Sequence, residues 1–130
     1  MTLLEARNIT KTYSVDRRTI SVLNNVSLRA DKGDFIVITG SSGSGKTTLL
    51  TVLSGLDHPT TGQVLIDNRD ITAATEEDLA PLRNRTIGFV FQSFHLVPSM
   101  TAIENIMFPA ELMGATDAAI RAAQLLSRVG

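Results

Sequence analysis

Gly40-Ser41-Ser42-Gly43-Ser44-Gly45-Lys46-Thr47 is the stretch in which residue type and spacing could do chemistry. Glycines at these intervals let the backbone curl until successive N–H groups point into one hollow. The residues that follow, Thr48-Leu49-Leu50-Thr51-Val52-Leu53, read as a helix. Its first-turn N–H groups and the positive end of its dipole then face the same hollow. Such a concavity suits the phosphates of a nucleoside triphosphate. In the pattern G-x-x-x-x-G-K-[ST], Lys46 reaches the β- and γ-phosphates as a point charge and the Thr47 hydroxyl ligates Mg²⁺. Thr48 is placed to hydrogen-bond the α-phosphate. Gly40, Ser41, Ser42, Gly43, Ser44, Gly45, Lys46, Thr47 and Thr48 are therefore the candidate nucleotide-binding residues, with Lys46 also a candidate catalytic group and Thr47 a metal ligand. A Gly/Ser loop that binds nothing is the plain alternative. It would not need an apolar run before it and an amphipathic helix after it, and this loop has both.

Other reactive residues point to less. His58 and His95 are far apart and poorly accompanied, so they read as solvated loop residues and not as a metal site. Glu76, Glu77 and Asp78 are acidic residues at a helix N-terminus. Glu104 is the acceptor of a capping box begun by Thr101.

The elements that must position the loop can be read from periodicity. Leu3–Tyr13 and Ile20–Ala30 are β-like runs joined by a polar connection, a hairpin pattern. Asp31–Asp34 is a turn. Phe35–Thr39 is a continuous apolar run, the pattern of a strand covered on both faces. The helix after the loop is expected from about Gly45 to Ser54, with Leu49, Leu50 and Leu53 on one face and Gly55 as its stop. Gln63–Asp67 is a short strand. Glu76–Arg83 is helical, with Thr75 as N-cap and Pro81 as an interruption. Thr86–Phe91 is a second buried-strand candidate. A helix starts near Ala102 and should bend at Pro109, and Thr116 caps a last amphipathic helix running to Gly130.

The composition agrees with a packed domain. The chain has 130 residues, 43% hydrophobic and 19% charged, with a net charge of −1. That balance suggests no general attraction to nucleic acid or to an anionic membrane. There is no cysteine, which excludes disulfides and thiolate metal sites. No apolar run approaches the roughly 20 residues of a membrane span, and the N-terminus does not read as a secretory signal. The expectation is a soluble intracellular α/β domain with an antiparallel β start. Two doubly buried strands are too few for a parallel sheet, so the chain also reads as truncated.

Taken together, "NITKTY", "LNNVSL", "GDFIVITGSSGSGKTTLL", "GLDHPTTGQVLIDNRDI" and "IGFVFQSFHLVPSMTAIENI" resemble, in order, the N-terminal part of an ATP-binding-cassette (ABC) transporter ATPase subunit. Within that family the chain looks most like the group serving lipoprotein release and macrolide-type export. The resemblance implies a P-loop NTPase core (35–92), an antiparallel β region before it (1–34), and the Q-loop with the start of a helical subdomain after it (93–130). It places Tyr13 at the adenine-stacking aromatic, an interaction worth about 1–3 kcal/mol. Gln92 falls at the Q-loop glutamine, which can ligate Mg²⁺ or orient a water and is a second candidate catalytic residue. The apolar residues Phe94, Leu96, Val97 and Met100 lie where the family meets its membrane partner.

The resemblance also implies ATP and Mg²⁺ as cofactors, a transmembrane permease contacted through Gln92–Met100, and a second ATPase subunit in head-to-tail pairing. The implied location is cytoplasmic, on the inner face of the cell membrane through that partner. Segments like the family's signature loop, Walker B aspartate, adjacent glutamate and switch histidine do not occur before Gly130. The chain alone is therefore expected to be inactive in hydrolysis. A soluble ABC protein outside transport, a non-catalytic interaction module and a different P-loop kinase or GTPase are the alternatives.

Overall fold

Strands β1 (Thr2–Val15) and β2 (Arg18–Asp31) form an antiparallel hairpin closed by the two residues Asp16 and Arg17. Short strand β3 (Thr61–Ile66) pairs antiparallel with the other edge of β1, and β4 (Arg69–Asp70) pairs with β3, giving the order β2-β1-β3-β4. Asp67 and Asn68 both take positive φ, at 49° and 63°, as a tight β3–β4 turn requires. The computed structural model describes residues 1–130 in two units, 1–87 and 88–130.

The hairpin contains a register irregularity that matters later. Asn8 and Asn25 both sit in the left-handed region, at φ 51° and 53°, and Asn8 Nδ2 donates to Asn25 Oδ1 at 2.7 Å. Asparagine accepts that conformation more readily than most residues. The β1–β2 register shifts between Ala6 and Ile9. A shift of one residue exchanges the two faces of a strand. Ala6, Ile9 and Lys11 are consequently all buried, although strict alternation from Ala6 would turn Ile9 and Lys11 outward. Gly62 of β3 crosses this point. A Cβ there would lie 2.5 Å from the Asn8 carbonyl oxygen, so only glycine fits.

Two helices belong to the first unit. Helix α1 (Lys46–Leu53) buries Leu49, Val52 and Leu53, and α2 (Glu76–Thr86) buries Leu79. These side chains join Ala6, Ile9, Leu23, Val64, Ile66 and Ile71 in one core. Each of the valine, leucine and isoleucine side chains contributes about 1.5–3 kcal/mol when fully buried. Gly55 ends α1 at φ 68°, and Arg83 of α2 donates to the Gly55 carbonyl at 2.8 Å. Thr75 caps α2 by accepting from the Asp78 N–H.

In the second unit, α3 (Ala102–Leu112) and α4 (Ala118–Val129) are joined by a turn in which Gly114 takes φ 77°. Ala118 and Ala122 are the buried residues of α4. Thr101 and Glu104 form both halves of the expected capping box.

Several expectations require correction. Phe35–Thr39 forms no strand, and Phe35 and Val37 are 92% and 65% exposed. Thr86 closes α2, and Gly88–Phe91 has no regular structure, with Val90 fully exposed. An apolar run becomes a buried strand only if neighbouring backbone takes up its N–H and C=O groups and both faces are covered. No strand of the sheet pairs with either run. Leu50 faces outward, and Val52 takes the core position beside Leu49 and Leu53. Pro81 lies inside α2 without ending it. The last helix begins after Asp117, one residue beyond the expected cap Thr116.

Candidate nucleotide site

The glycine loop passes directly into α1. Gly45 is the N-cap of that helix at φ 88°, and the first intrahelical bond runs from the Leu49 N–H to the Gly45 carbonyl at 2.8 Å. The N–H groups of Lys46, Thr47 and Thr48 precede that bond and so have no partner within the helix. Glycine is required at position 45 for two reasons. A side chain there would be strained by the positive φ, and its Cβ would lie 2.8 Å from the Val22 carbonyl oxygen. Gly43 also takes a left-handed conformation, at φ 77°. At Gly40 a Cβ would meet the Ser44 hydroxyl oxygen at 2.7 Å.

Lys46 spans the loop. Its Nζ donates to the carbonyls of Gly40 at 2.9 Å and Ser41 at 2.6 Å, and to the Ser44 hydroxyl at 3.2 Å. Ser44 N–H in turn donates to the Ser41 carbonyl at 3.2 Å. The result is a small concavity of about 170 Å³ lined by Val22, Gly43, Ser44, Gly45, Lys46, Thr47 and Thr48. A lysine ammonium, three helix N–H groups without intrahelical partners and two threonine hydroxyls meet there. Such a set can neutralise and hold an oxyanion. Ser42 lies on the exposed outer turn of the loop.

Tyr13 lies beside α1, near Thr48 of its first turn and bonded at its hydroxyl to Asp57, which follows its last turn. The Tyr13 hydroxyl donates to Asp57 Oδ2 at 2.9 Å, and the residue is 39% exposed. The neighbouring Asp57 carboxylate is the main reason the phenol's pKa lies above its ordinary value, with burial adding to it; Lys11 and the Thr48 side chain act in the opposite sense. Thr48 is therefore near both the loop and Tyr13. Asp57 also receives Lys11 Nζ at 2.7 Å and the His58 N–H at 2.7 Å. Burial alone would push its carboxyl up, but these bonds and the one from Tyr13 hold it below the ordinary range.

Gln92 belongs to the second unit, on an exposed irregular segment. Phe94 and Leu96 beside it are 86% and 64% exposed, and Val97 is 38% exposed. Met100 is half-buried, and its N–H closes a turn onto the Val97 carbonyl at 3.0 Å. Phe91 packs edge-on against His95 at 4.6 Å.

Lys11 and Asp57 were not legible as site residues. The separation of two between Lys11 and Tyr13 was a usable signal, because alternate residues of a strand share a face. Nothing local marks Asp57, which is 46 residues from Lys11.

Comparison with known proteins identifies the family. The family model described as ABC transporter matches residues 23–130. The chain is 44% identical over its full length to a macrolide export ATP-binding/permease protein of Syntrophobacter fumaroxidans, covering 19% of that protein. It is 42% identical over 98% of its length to the lipoprotein-releasing system ATP-binding protein of Alcanivorax borkumensis, and spans 57% of that relative. A solved dimeric ATP-binding cassette in a post-hydrolysis state, bound to ADP and Pi, superposes with a TM-score of 0.88 at 38% identity, over 96% of this chain and 56% of that one. By the family match and by these relatives, the chain belongs to the ABC transporter family.

Proposed function

We propose that the chain binds MgATP in the loop Gly40–Thr48 and supplies the nucleotide-binding part of a transport ATPase. The observation that carries this reading is the loop itself, with Lys46 Nζ held on the Gly40 and Ser41 carbonyls over the first turn of α1. Lys46 would exchange those carbonyls for β- and γ-phosphate oxygens, and the N–H groups of the first turn would hold the remaining phosphate charge. Tyr13 would stack on the base. Thr48 would bind the α-phosphate.

The residues also suit Mg²⁺ bound together with the triphosphate. Nowhere do three or more acidic or histidine side chains gather that could cage a metal. The first unit would offer the Thr47 hydroxyl, leaving most of the shell to phosphate and water, as Mg²⁺ tolerates. When bound, the ion would supply positive charge against the charge of the phosphates.

For the whole protein, the reading is ATP hydrolysis coupled to export or extraction of a substrate through a membrane permease. The names of the macrolide-export and lipoprotein-release relatives support it. No helix here is long and apolar enough to cross a membrane; the permease of this reading is a further domain or subunit. The exposed apolar side chains between Gln92 and Met100 are the surface proposed to meet it, at the inner face of the membrane. The dimeric state of the solved cassette supports a second ATPase subunit. The 130 residues alone would bind nucleotide weakly and turn it over negligibly.

Equilibrium titration with MgATP tests the reading. Saturable binding that Lys46→Ala abolishes and Tyr13→Ala weakens is the expected result. Binding unaffected by Lys46→Ala would place the nucleotide elsewhere and overturn it.

A further inference from the structure

Tyr13 is held by a cluster that the binding chemistry does not itself require. Lys11 precedes it by two residues on β1 and is only 9% exposed. The Lys11 ammonium donates to Asp57 Oδ1 at 2.7 Å and to the His58 carbonyl at 2.6 Å, and stands 4.9 Å from the centre of the Tyr13 ring. The other oxygen of Asp57 accepts from the Tyr13 hydroxyl at 2.9 Å. One carboxylate thus ties the end of the phenol and the ammonium that lies over its face. Asp57 is itself fixed by the His58 N–H at 2.7 Å, and the backbone N–H groups of Leu56 and Asp57 both donate to the Thr51 carbonyl of α1, at 2.9 and 3.2 Å. The tyrosine is in this way referenced to the same helix whose first turn forms the phosphate concavity.

A buried ammonium with a carboxylate partner is costly to desolvate, and replacing such a pair with apolar residues is often neutral or stabilising. Stability alone is therefore weak grounds for its presence. A cation on one face of a ring also leaves the opposite face for a second planar group. We infer that Asp57 and Lys11 are positioning residues for nucleobase recognition: they fix the plane of Tyr13 relative to α1, so that a purine can stack on the ring while its triphosphate lies on Gly40–Thr48. This rests on the nucleotide-binding reading above and adds the device that sets the ring's orientation.

The test compares two probes on the full 130-residue chain, MgATP and magnesium tripolyphosphate, which lacks the base and ribose. The variants are Tyr13→Ala, Tyr13→Phe, Asp57→Asn and Lys11→Met. Tyr13 is the one tyrosine and there is no tryptophan, so intrinsic fluorescence and ultraviolet phenol titration report this ring alone. Tyr13→Ala should weaken MgATP by roughly 5- to 150-fold, the range of a base–aromatic stack. Asp57→Asn, Lys11→Met and Tyr13→Phe should each weaken it by on the order of 3- to 10-fold, the range of one lost tether. None should change tripolyphosphate binding, and Asp57→Asn should alter the tyrosine emission.

Equal loss of both probes would show a structural role only and overturn the inference. So would Asp57→Asn and Tyr13→Phe variants that bind MgATP as the parent does. Tyr13→Phe removes only the hydroxyl of a partly exposed residue, and keeps the test decisive if the charge variants unfold. A parent chain that binds both probes equally well overturns the inference and leaves the phosphate loop standing. A parent that binds neither overturns the nucleotide reading itself.

Discussion

Val97 is clasped on both of its backbone groups by Asn105. The Val97 N–H donates to Asn105 Oδ1 at 2.7 Å, and Asn105 Nδ2 donates back to the Val97 carbonyl at 3.2 Å. The same Nδ2 reaches the Met100 carbonyl at 3.1 Å and the Thr101 carbonyl at 3.0 Å. One amide on the first turn of α3 thereby shapes the apolar segment that precedes it. Asn105→Ala should release this turn. Hydrogen exchange should become faster at Val97 and Met100 while α1 and the sheet keep their protection. Unchanged exchange at Val97 would show that the turn holds without the amide.

Within the phosphate loop, two glycines should respond differently to alanine. Gly43 has positive φ but open space around it, so Gly43→Ala should cost about 1–2 kcal/mol from the left-handed backbone alone. Gly45→Ala adds a Cβ 2.8 Å from the Val22 carbonyl oxygen and should cost more. Urea midpoints of the two variants measure the difference. Equal costs would mean that β2 gives way freely beneath the loop.

Asp57 should make stability depend on acid. Its folded pKa is lowered, so its contribution is complete above the unfolded carboxylate value of about 3.9 and is lost as pH falls through the lower, folded value. Asp57→Asn should therefore be destabilising at pH 6, with a smaller difference from the parent near pH 2.5. Tyr13 has the opposite sense. Its folded pKa is raised, so its contribution is complete below about 10 and is lost as pH rises through the folded value. Absorbance titration of the single tyrosine should show ionisation above pH 10, returning toward 10 in Asp57→Asn. An unshifted phenol in the parent would contradict the Tyr13–Asp57 bond.

Core and surface leucines should separate cleanly. Leu79 is 1% exposed among Ile71, Gly55 and the rest of the core, and Leu79→Ala should cost about 2–5 kcal/mol. Leu50 is 56% exposed, so Leu50→Asn should fall within about 0.5 kcal/mol of the parent. Thermal unfolding of the two variants checks both. A large loss at Leu50 would mean that this side of α1 is covered in solution.

Much of the candidate site was legible because its requirements are local. Gly40 to Thr48 needs glycine where the backbone curls or approaches closely, and a helix start beneath it. Both are written in consecutive residues. The capping box of Thr101 and Glu104 was legible for the same reason. The failures arose where the outcome depends on distant chain. Phe35–Thr39 and Thr86–Phe91 have the composition of buried strands, yet composition supplies neither pairing partners nor cover.

By itself, then, the sequence determined the phosphate loop, the hairpin, the helix starts and the family to which they belong. Tertiary structure alone decided which side chains share a place. The register shift near Asn8 turns Lys11 toward the core, and the end of α1 carries Asp57 to it across 46 residues. Local preference acts between near neighbours, whereas the meeting of Lys11, Tyr13 and Asp57 depends on strand register and on a helix docked upon the sheet.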